Sequence, residues 1–201
     1  MQQRQQGFTL IEIAIVLVIV GILLGGILKG QEMLTQGKIR AVEKELDSVA
    51  VAILGYRDRY KALPGDDSTV KQRWTTAEEG DGDGLIDEGE RIKAWQHLRF
   101  AGLISGDPTS DKQPVNAVGG VTDIQDGAGT TTKHIEGTVI CTTNLPAKIA
   151  TAVDAQLDDG LPNKGSILAF NQSTPNTPTF DKASEKYADD GKQQYTLCRG
   201  V

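Results

Sequence analysis

The chain has 201 residues, of which 38% are hydrophobic, and its 27 Asp and Glu residues outnumber 21 Lys and Arg to give a formal net charge of −6. This acidic balance is not typical of nucleic-acid-binding proteins, so no nucleic-acid partner is predicted. Once an apolar N-terminal segment is set aside, about 140 residues remain, which is enough for one modest globular domain.

The N-terminal segment is the most informative part of the sequence. Glu12 is the only charged residue between Phe8 and Leu28, and a helix of about 20 apolar residues spans a bilayer. A secretory signal peptide is cut after its apolar core, whereas here a short polar stretch precedes the apolar run. We therefore expect a leader over residues 1–7 and a retained membrane-spanning helix over residues 8–35.

Glu12 is the unusual residue of this helix. An ionisable side chain inside a membrane costs about 2.5–3.5 kcal/mol and by default indicates a function. Lys29, a cation on the same helix, is about five turns away. A free amine produced by cleavage before Phe8 would lie four positions from Glu12, in the same chain or in a neighbouring subunit. In the second arrangement Glu12 sets the register between packed helices.

Residues 7–12 read Gly-Phe-Thr-Leu-Ile-Glu, which is the pattern found at prepilin cleavage sites, and the chain resembles type IV pilins and the pseudopilins of type II secretion. The resemblance covers the leader, the cleavage site and the N-terminal helix. It implies cleavage between Gly7 and Phe8 by a membrane prepilin peptidase, N-methylation of Phe8, and a role for Glu12 in assembly. It also implies an assembly ATPase and a platform protein. The alternative is an ordinary single-span anchor.

Beyond the membrane the helix is predicted to continue over residues 36–62, because apolar residues recur at spacings of three and four. This stripe consists of Ile39, Val42, Leu46, Val49, Ile53, Tyr56 and Tyr60. Residues 63–67, Leu-Pro-Gly-Asp-Asp, then end the helix. We expect the stripe to pack on a sheet of the same chain, within a globular head formed by residues 63–201.

Residues 79–90 follow the twelve-residue template of a calcium-binding loop. The predicted side-chain ligands are Glu79, Asp81, Asp83, Asp87 and Glu90, with Leu85 as the carbonyl ligand. Glu79 departs from the Asp that is usual at the first position. A bound Ca²⁺ would be structural, and helices are predicted on both sides, over residues 68–77 and 90–102. The alternative is an Asp/Gly-rich loop without an ion, since these residues are common in turns.

The C-terminal half predicts a sheet. Residues 106–133 are rich in Gly, Asp, Thr and Pro and predict loops, with one short strand near residues 115–118. Strands are predicted over residues 134–141, 166–170 and 195–199, and a helix over residues 146–157. Asp154, Asp158 and Asp159 would close this helix, with a second cation site as the alternative.

Cys141 and Cys198 are the only cysteines. In the oxidising periplasm that the resemblance implies, they predict a disulfide that would stabilise the fold by about 4 kcal/mol, with two buried thiols as the alternative. Type IV pilins commonly carry a C-terminal disulfide, so the pair favours a pilus. Neither His97 nor His134 stands in a pattern typical of catalysis, and no enzyme activity is predicted.

The sequence thus predicts an α+β, pilin-like fold with a long N-terminal helix on a small antiparallel sheet. We expect a structural subunit of a homopolymeric or mixed filament that serves functions such as cell adhesion. It would reside in the inner membrane and then in an extracellular pilus. The alternatives are a pseudopilin in a periplasmic pseudopilus, and a membrane-anchored calcium-binding or adhesive module that does not polymerise.

Overall fold

The computed structural model describes residues 9–130, 133–180 and 182–201. Its helices and strands follow one another in the order α1 Leu10–Tyr60, a short 3₁₀ helix Val70–Gln72, α2 Arg91–Phe100, β1 Thr122–Thr130, β2 Lys133–Pro146, α3 Ala147–Leu157, β3 Ile167–Gln172 and β4 Gln194–Gly200. Internal contacts divide the chain into two compact units, with the boundary after Gly37. The α+β fold, the long N-terminal helix and the small antiparallel sheet confirm the sequence prediction.

The first unit contains the N-terminal part of α1. Its apolar side chains are exposed along the whole stretch from Leu10 to Leu34. By length and composition α1 is apolar enough to cross a membrane, and no residue of its most apolar stretch is buried. Such a surface is unfavourable in water, because each Å² of apolar surface removed from water stabilises the protein by about 25 cal/mol. This stretch therefore requires a bilayer or other apolar helices around it.

The second unit, Lys38–Val201, has its own hydrophobic core. The C-terminal part of α1 supplies one buried stripe, which consists of Ile39, Val42, Leu46, Val49, Ala52, Ile53 and Tyr56. This stripe packs with buried residues of α2, α3 and the sheet, among them Trp95, Val153 and Tyr195. Of the predicted stripe only Tyr60 is half-buried rather than buried. The periodicity of the sequence thus identified the face of α1 that packs on the head.

The sheet has four antiparallel strands in the order β1-β2-β4-β3. Cys141 of β2 lies directly opposite Cys198 of β4, and the two form the predicted disulfide. Both cysteines are fully buried and belong to a second, smaller apolar cluster that includes Leu168 and Phe170. The sheet is therefore cross-linked between its two central strands.

Two local predictions are wrong. Residues 122–130 were expected to form loops but make β1, whose backbone pairs with β2 from Thr122 to Thr130. The predicted strand at residues 115–118 is reduced to an isolated bridge between Val115 and Val121. The residues of β1 have low β-propensity, but pairing with β2 stabilises the strand. β-propensity depends strongly on such context, so it does not predict this strand.

The helix predicted over residues 68–77 is also wrong, since only the 3₁₀ helix Val70–Gln72 forms there. Asp67 Oδ1 accepts hydrogen bonds from the Thr69 backbone N–H and the Thr69 hydroxyl, each at 2.9 Å. Such local bonds from an Asp side chain offer the backbone an alternative to a helix. The helix predicted after residue 90 is confirmed as α2, and the one near residue 146 as α3.

Candidate functional site

The first candidate site is the N-terminal processing and assembly segment. Gly7 and Phe8, the predicted cleavage and methylation positions, lie outside the described residues. Glu12 lies in the first turn of α1, where its Oε2 accepts hydrogen bonds from the Thr9 backbone N–H at 2.8 Å and the Thr9 hydroxyl at 2.7 Å. The Glu12 backbone N–H lies 3.4 Å from the Thr9 hydroxyl oxygen. This reciprocal pattern is a capping box, which satisfies backbone donors at the start of a helix.

The capping box gives Glu12 a partner that the sequence analysis missed. The partner is a threonine and not a cation, since Thr9 lies three positions before Glu12 in the Thr-x-x-Glu spacing of a capping box. An acidic side chain in the first turn also interacts favourably with the helix dipole. Glu12 therefore contributes to the start of α1 in its own chain, through its bonds to Thr9.

The second candidate site is the acidic loop over residues 79–90. Three of its aspartates bond to the loop backbone two residues later: Asp81 to Asp83 N–H at 3.1 Å, Asp83 to Leu85 N–H at 2.8 Å, and Asp87 to Gly89 N–H at 3.0 Å. These are turn-forming bonds, which Asp residues make in many loops. They fix the shape of the loop locally.

The predicted ligands of the loop do not all come together. Among the described residues, the metal-ligating atoms that lie within 4.8 Å of one another in this region belong to Asp66, Asp81 and Glu90. Glu79 instead lies beside Lys71, with Nζ 3.3 Å from its Oε2. Neither Asp83 nor Asp87 belongs to this group, and Leu85 is an exposed side chain on the same loop. The structure thus brings together two of the predicted residues and adds one.

Asp66 is the added residue, and the loop wraps around it. It is 4% exposed, and its carboxylate accepts the backbone N–H of Gly82 at 2.7 Å and of Gly84 at 3.0 Å. Both glycines have positive φ, 81° and 92°, a conformation that other residues rarely adopt. The loop template could not identify Asp66, because this residue belongs to the Leu-Pro-Gly-Asp-Asp turn that precedes the loop.

The three carboxylates repel one another. Burial raises the pKa of Glu90, and the charges of Asp66, Asp81 and Asp87 act in the same direction. Burial likewise raises the pKa of Asp66, although the backbone N–H groups of the loop oppose this shift. A set of oxygen ligands fits a hard cation such as Ca²⁺. A bound cation would also remove the repulsion between the carboxylates.

His97 of α2 anchors the turn that precedes the loop. Its ring is fully buried, Nδ1 accepts the Gly65 N–H at 2.9 Å, and Nε2 lies 2.7 Å from the Glu78 carbonyl oxygen. These partners assign the hydrogen to Nε2. Burial lowers the pKa of His97, which keeps the ring neutral at neutral pH. Both ring nitrogens are engaged with backbone, so this histidine has a structural role.

Asp67 forms a second buried anchor beside His97. Its Oδ2 accepts the Tyr56 hydroxyl at 2.8 Å and pairs with Arg73. Tyr56 in turn stacks on the His97 ring with 6.0 Å between ring centroids. The residues between α1 and α2 are therefore fixed to both helices by side-chain contacts rather than by regular secondary structure.

The acidic group at the end of α3 also serves the backbone. Asp154 accepts the Tyr187 hydroxyl at 2.6 Å and the Gly160 N–H at 3.3 Å. Asp158 accepts the backbone N–H groups of Ser166 and Ile167 at 2.6 and 3.0 Å. These contacts fit a helix end and a turn, and the carboxylate oxygens of Asp154, Asp158 and Asp159 also lie within 4.8 Å of one another, as the alternative of a second cation site requires.

Comparison with known proteins adds one finding to this geometry. Residues 2–28 match the family described as the prokaryotic N-terminal methylation motif. No curated protein matches the chain. The motif implies processing by a prepilin peptidase and assembly into pilus-type filaments, and together with the apolar part of α1 it is consistent with membrane anchoring before assembly. The chain thus carries the prepilin signature of type IV pilins and pseudopilins.

Proposed function

We propose that the protein is a structural subunit of a type IV pilus-like filament, cleaved between Gly7 and Phe8 and assembled through α1. The observation that carries this proposal is the methylation motif at residues 2–28, followed by the exposed apolar stretch of α1. A helix gains little by leaving lipid unless other helices cover it again. In the proposed filament, the same segment of neighbouring subunits provides that cover, and a platform protein and an ATPase supply the work of extraction.

The proposed organisation has four parts: a leader over residues 1–7, a filament-core helix over residues 8–35, its amphipathic continuation over residues 36–62, and a head over residues 63–201. The disulfide between Cys141 and Cys198 supports an extracellular pilus rather than a periplasmic pseudopilus. This is because the family resemblance associates such a C-terminal cross-link with pilins.

The proposal is tested by mass spectrometry of filaments sheared from the native cells. A pilus subunit is expected to be abundant in this fraction and to begin at methylated Phe8. Processed protein that stays in the cell envelope would assign the chain to a pseudopilus. A chain that keeps residues 1–7 in every fraction would contradict the proposal.

Two variants separate the proposed role of Glu12 in assembly from its role as a helix cap. Glu12→Gln removes the charge but keeps an acceptor for the Thr9 N–H, since Gln also serves in capping boxes. Thr9→Ala removes the cap and keeps the charge. If Glu12 pairs with the Phe8 amine of a neighbour, we expect Glu12→Gln and Glu12→Ala to be processed but not incorporated, and Thr9→Ala to assemble.

Incorporation is measured as the fraction of processed protein that appears in sheared filaments. Normal incorporation of Glu12→Gln together with failure of Thr9→Ala would reduce Glu12 to a helix cap. Processing is followed by the mass of the N-terminal fragment, so a defect in cleavage is not mistaken for a defect in assembly.

We further propose that Ca²⁺ is held as a structural ion by Asp66, Asp81 and Glu90. The support is the proximity of their oxygen atoms and the burial of Asp66 and Glu90. A ligand that binds only the folded state stabilises it by about 2.7 kcal/mol at a hundred times its Kd. We expect the full chain to melt at a higher temperature in Ca²⁺ than in the presence of a chelator.

Two matched variants distinguish this carboxylate group from the loop template. Asp66→Asn is expected to lose the calcium-dependent rise in melting temperature, and Glu79→Gln is expected to keep it, because Glu79 lies beside Lys71. The opposite pattern would favour the template ligands. If Ca²⁺ has no effect on the unmodified chain, the segment is an Asp/Gly-rich loop without an ion.

A further inference from the structure

An apolar groove lies in the second unit between α1, α2 and the segment that leads into β1. Its volume is about 360 Å³, and Val49, Ile104, Pro114 and Val115 belong to its lining. Sites that bind other molecules are usually clefts of about 300–1,000 Å³ with mostly apolar walls. The groove uses neither the acidic loop nor the N-terminal motif.

The lining of the groove carries no net charge. Among the residues that line it, Lys44 and Glu45 are the charged ones, and their charges are opposite. The Ser48 hydroxyl, also part of the lining, donates to the Lys44 carbonyl oxygen at 2.6 Å, and the Ala117 N–H donates to the Glu45 carboxylate. These polar groups therefore have partners in their own chain. An uncharged, apolar occupant fits such a lining, because a charged one would lose its water without a counter-charge.

The α1 wall of the groove allows close approach of another helix. Ala41 and Ser48 are both part of this wall and lie seven positions apart, which places them on the same face of α1. Small residues of this kind let two helix backbones come close together. Apolar grooves commonly bind one face of a helix, which inserts side chains at spacings of three and four.

The chain contains an apolar helix that lacks cover. Large apolar side chains of α1 are exposed from Leu10 to Leu34, among them Ile27 at 56% and Leu28 at 68%. Residues 13–28 include no charged side chain. The same polypeptide therefore has two unlike apolar surfaces, a groove and a helix. Contacts between unlike surfaces of identical chains are heterologous, and their repetition builds open helical filaments rather than closed dimers.

We propose that the groove binds the apolar stretch of α1, residues 10–34, of a second copy of the chain. This inference rests on the proposed function, because the filament is what brings this stretch out of the bilayer and beside another head. The net charge of −6 does not oppose the contact. Neither the groove lining nor residues 13–28 carry a net charge, and salt screens exposed charges beyond about 8 Å.

The contact gives assembly a driving force that packing among the apolar helices lacks. A helix gains little when it exchanges lipid for other apolar helices. The groove belongs to the second unit, whose surface outside the bilayer is in contact with water before assembly. Apolar groove surface that leaves water on assembly stabilises the assembled state. The head thus contributes to filament stability through a surface that the membrane does not cover.

Photochemical cross-linking in filaments tests which segment occupies the groove. The photoreactive residue p-benzoylphenylalanine replaces Val115, which lines the groove and is 71% exposed. Filaments sheared from cells that produce this variant are irradiated, and cross-linked peptides are identified by mass spectrometry. A cross-link between copies gives a dimer on a denaturing gel, whereas one within a chain keeps the monomer mass. We expect dimers whose second peptide lies within residues 10–34.

The same photoreactive residue in place of Leu161 is the control. Leu161 is also an exposed apolar residue of the second unit, at 44%, but it does not line the groove. We expect this variant to enter filaments and to give no cross-link to residues 10–34.

Two substitutions of Ser48 form a matched pair. Ser48→Asp places a charge in the groove, where an apolar helix would deprive it of water, and is expected to lower incorporation into filaments at least about tenfold. Ser48→Ala keeps a small side chain and is expected to leave incorporation unchanged. Melting temperatures measured in lipid nanodiscs show that the head of each variant is folded.

The outcomes separate this inference from the proposed function. Dimers of the Val115 variant that involve another part of the chain or another protein would overturn the inference and leave the filament intact. Filaments that contain this variant but give no dimer would do the same, as would equal incorporation of Ser48→Asp and Ser48→Ala. Absence of the unmodified chain from sheared filaments would overturn the proposed function and, with it, this inference.

Discussion

His97 shows at the scale of one residue how the chain fixes a segment without regular structure. One imidazole binds the backbone at Gly65 and at Glu78 and stacks on Tyr56. Substitution by an aliphatic residue would fill the same space but leave both backbone groups buried and unpaired. The precise turn that places Asp66 under the acidic loop therefore depends on a neutral histidine.

This arrangement predicts a pH dependence. Burial lowers the pKa of His97 below its ordinary value of 6.5, so the unfolded chain takes up a proton that the folded chain does not. The free energy of unfolding is then at its full value above pH 6.5, and it falls as the pH decreases from 6.5 towards the folded pKa of His97. Urea unfolding followed by circular dichroism at stepped pH measures this loss.

His134 provides the control, because the chain has two histidines and His134 is exposed. We expect His134→Gln to keep the pH dependence and His97→Gln to lose most of it while being less stable at every pH. Asp66 and Glu90 act with the opposite sign, since burial raises their pKa and the folded state binds their protons more readily than the unfolded chain does. An unchanged slope in His97→Gln would assign the effect to other groups.

At the scale of elements, α1 packs through one face in the second unit. Leu46 is 1% exposed, whereas Val51 on the same helix is 69% exposed. We expect Leu46→Ala to reduce the free energy of unfolding by about 2–5 kcal/mol, since truncation in a core loses burial and leaves a cavity. Val51→Ala is expected to change it by less than about 0.5 kcal/mol.

Chemical denaturation of both variants in nanodiscs measures this difference. A small effect of Leu46→Ala would mean that the head is stable without its contact to α1. A large effect of Val51→Ala would mean that the exposed face of the helix is covered by another molecule under the conditions of the experiment.

The elements that the sequence predicted correctly share a strong local pattern. In α1 the spacing of Val42, Leu46 and Val49 is enough to identify both the helix and its buried face. By contrast, β1 reads Thr-Asp-Ile-Gln-Asp-Gly-Ala-Gly-Thr, which carries little strand propensity, and it is a strand because it pairs with β2, the next strand along the chain. Local patterns specify elements whose stability is local, and they fail where a partner strand supplies it.

The same distinction applies to the candidate sites. The spacing of residues 79–90 correctly suggested that Asp81 and Glu90 lie close together, but Asp66 reaches them through a tertiary contact that no spacing within the loop encodes. Glu12 was identified by its charge, while its bonds to Thr9 are local and were available from the Thr-x-x-Glu pattern. The first omission was unavoidable from sequence, and the second was not.

At the scale of the whole molecule, the disulfide cross-links β2 and β4, the two central strands of the sheet. Cys141 and Cys198 are 57 positions apart in sequence. In the chain-entropy account, closing a loop of this length stabilises a protein by about 4 kcal/mol. We expect reduction of the full chain to lower its melting temperature strongly, and the double variant Cys141→Ala with Cys198→Ala to start at the lower value.

Differential scanning calorimetry with and without reductant measures this effect. The double variant is the control, because its melting temperature should no longer respond to reductant. An equal response in both proteins would show that the reductant acts elsewhere, and no response in the unmodified chain would show that sheet packing alone stabilises the head.

The position of this cross-link has a consequence for proteolysis. Residues 173–177 are exposed and lie between the two linked cysteines along the chain. A protease that cuts there opens the backbone, but the two pieces stay covalently joined through β2 and β4. A chain nicked at this loop would therefore keep its C-terminal strand β4 covalently attached to the piece that contains α1, so a cut at this loop would not release part of the protein.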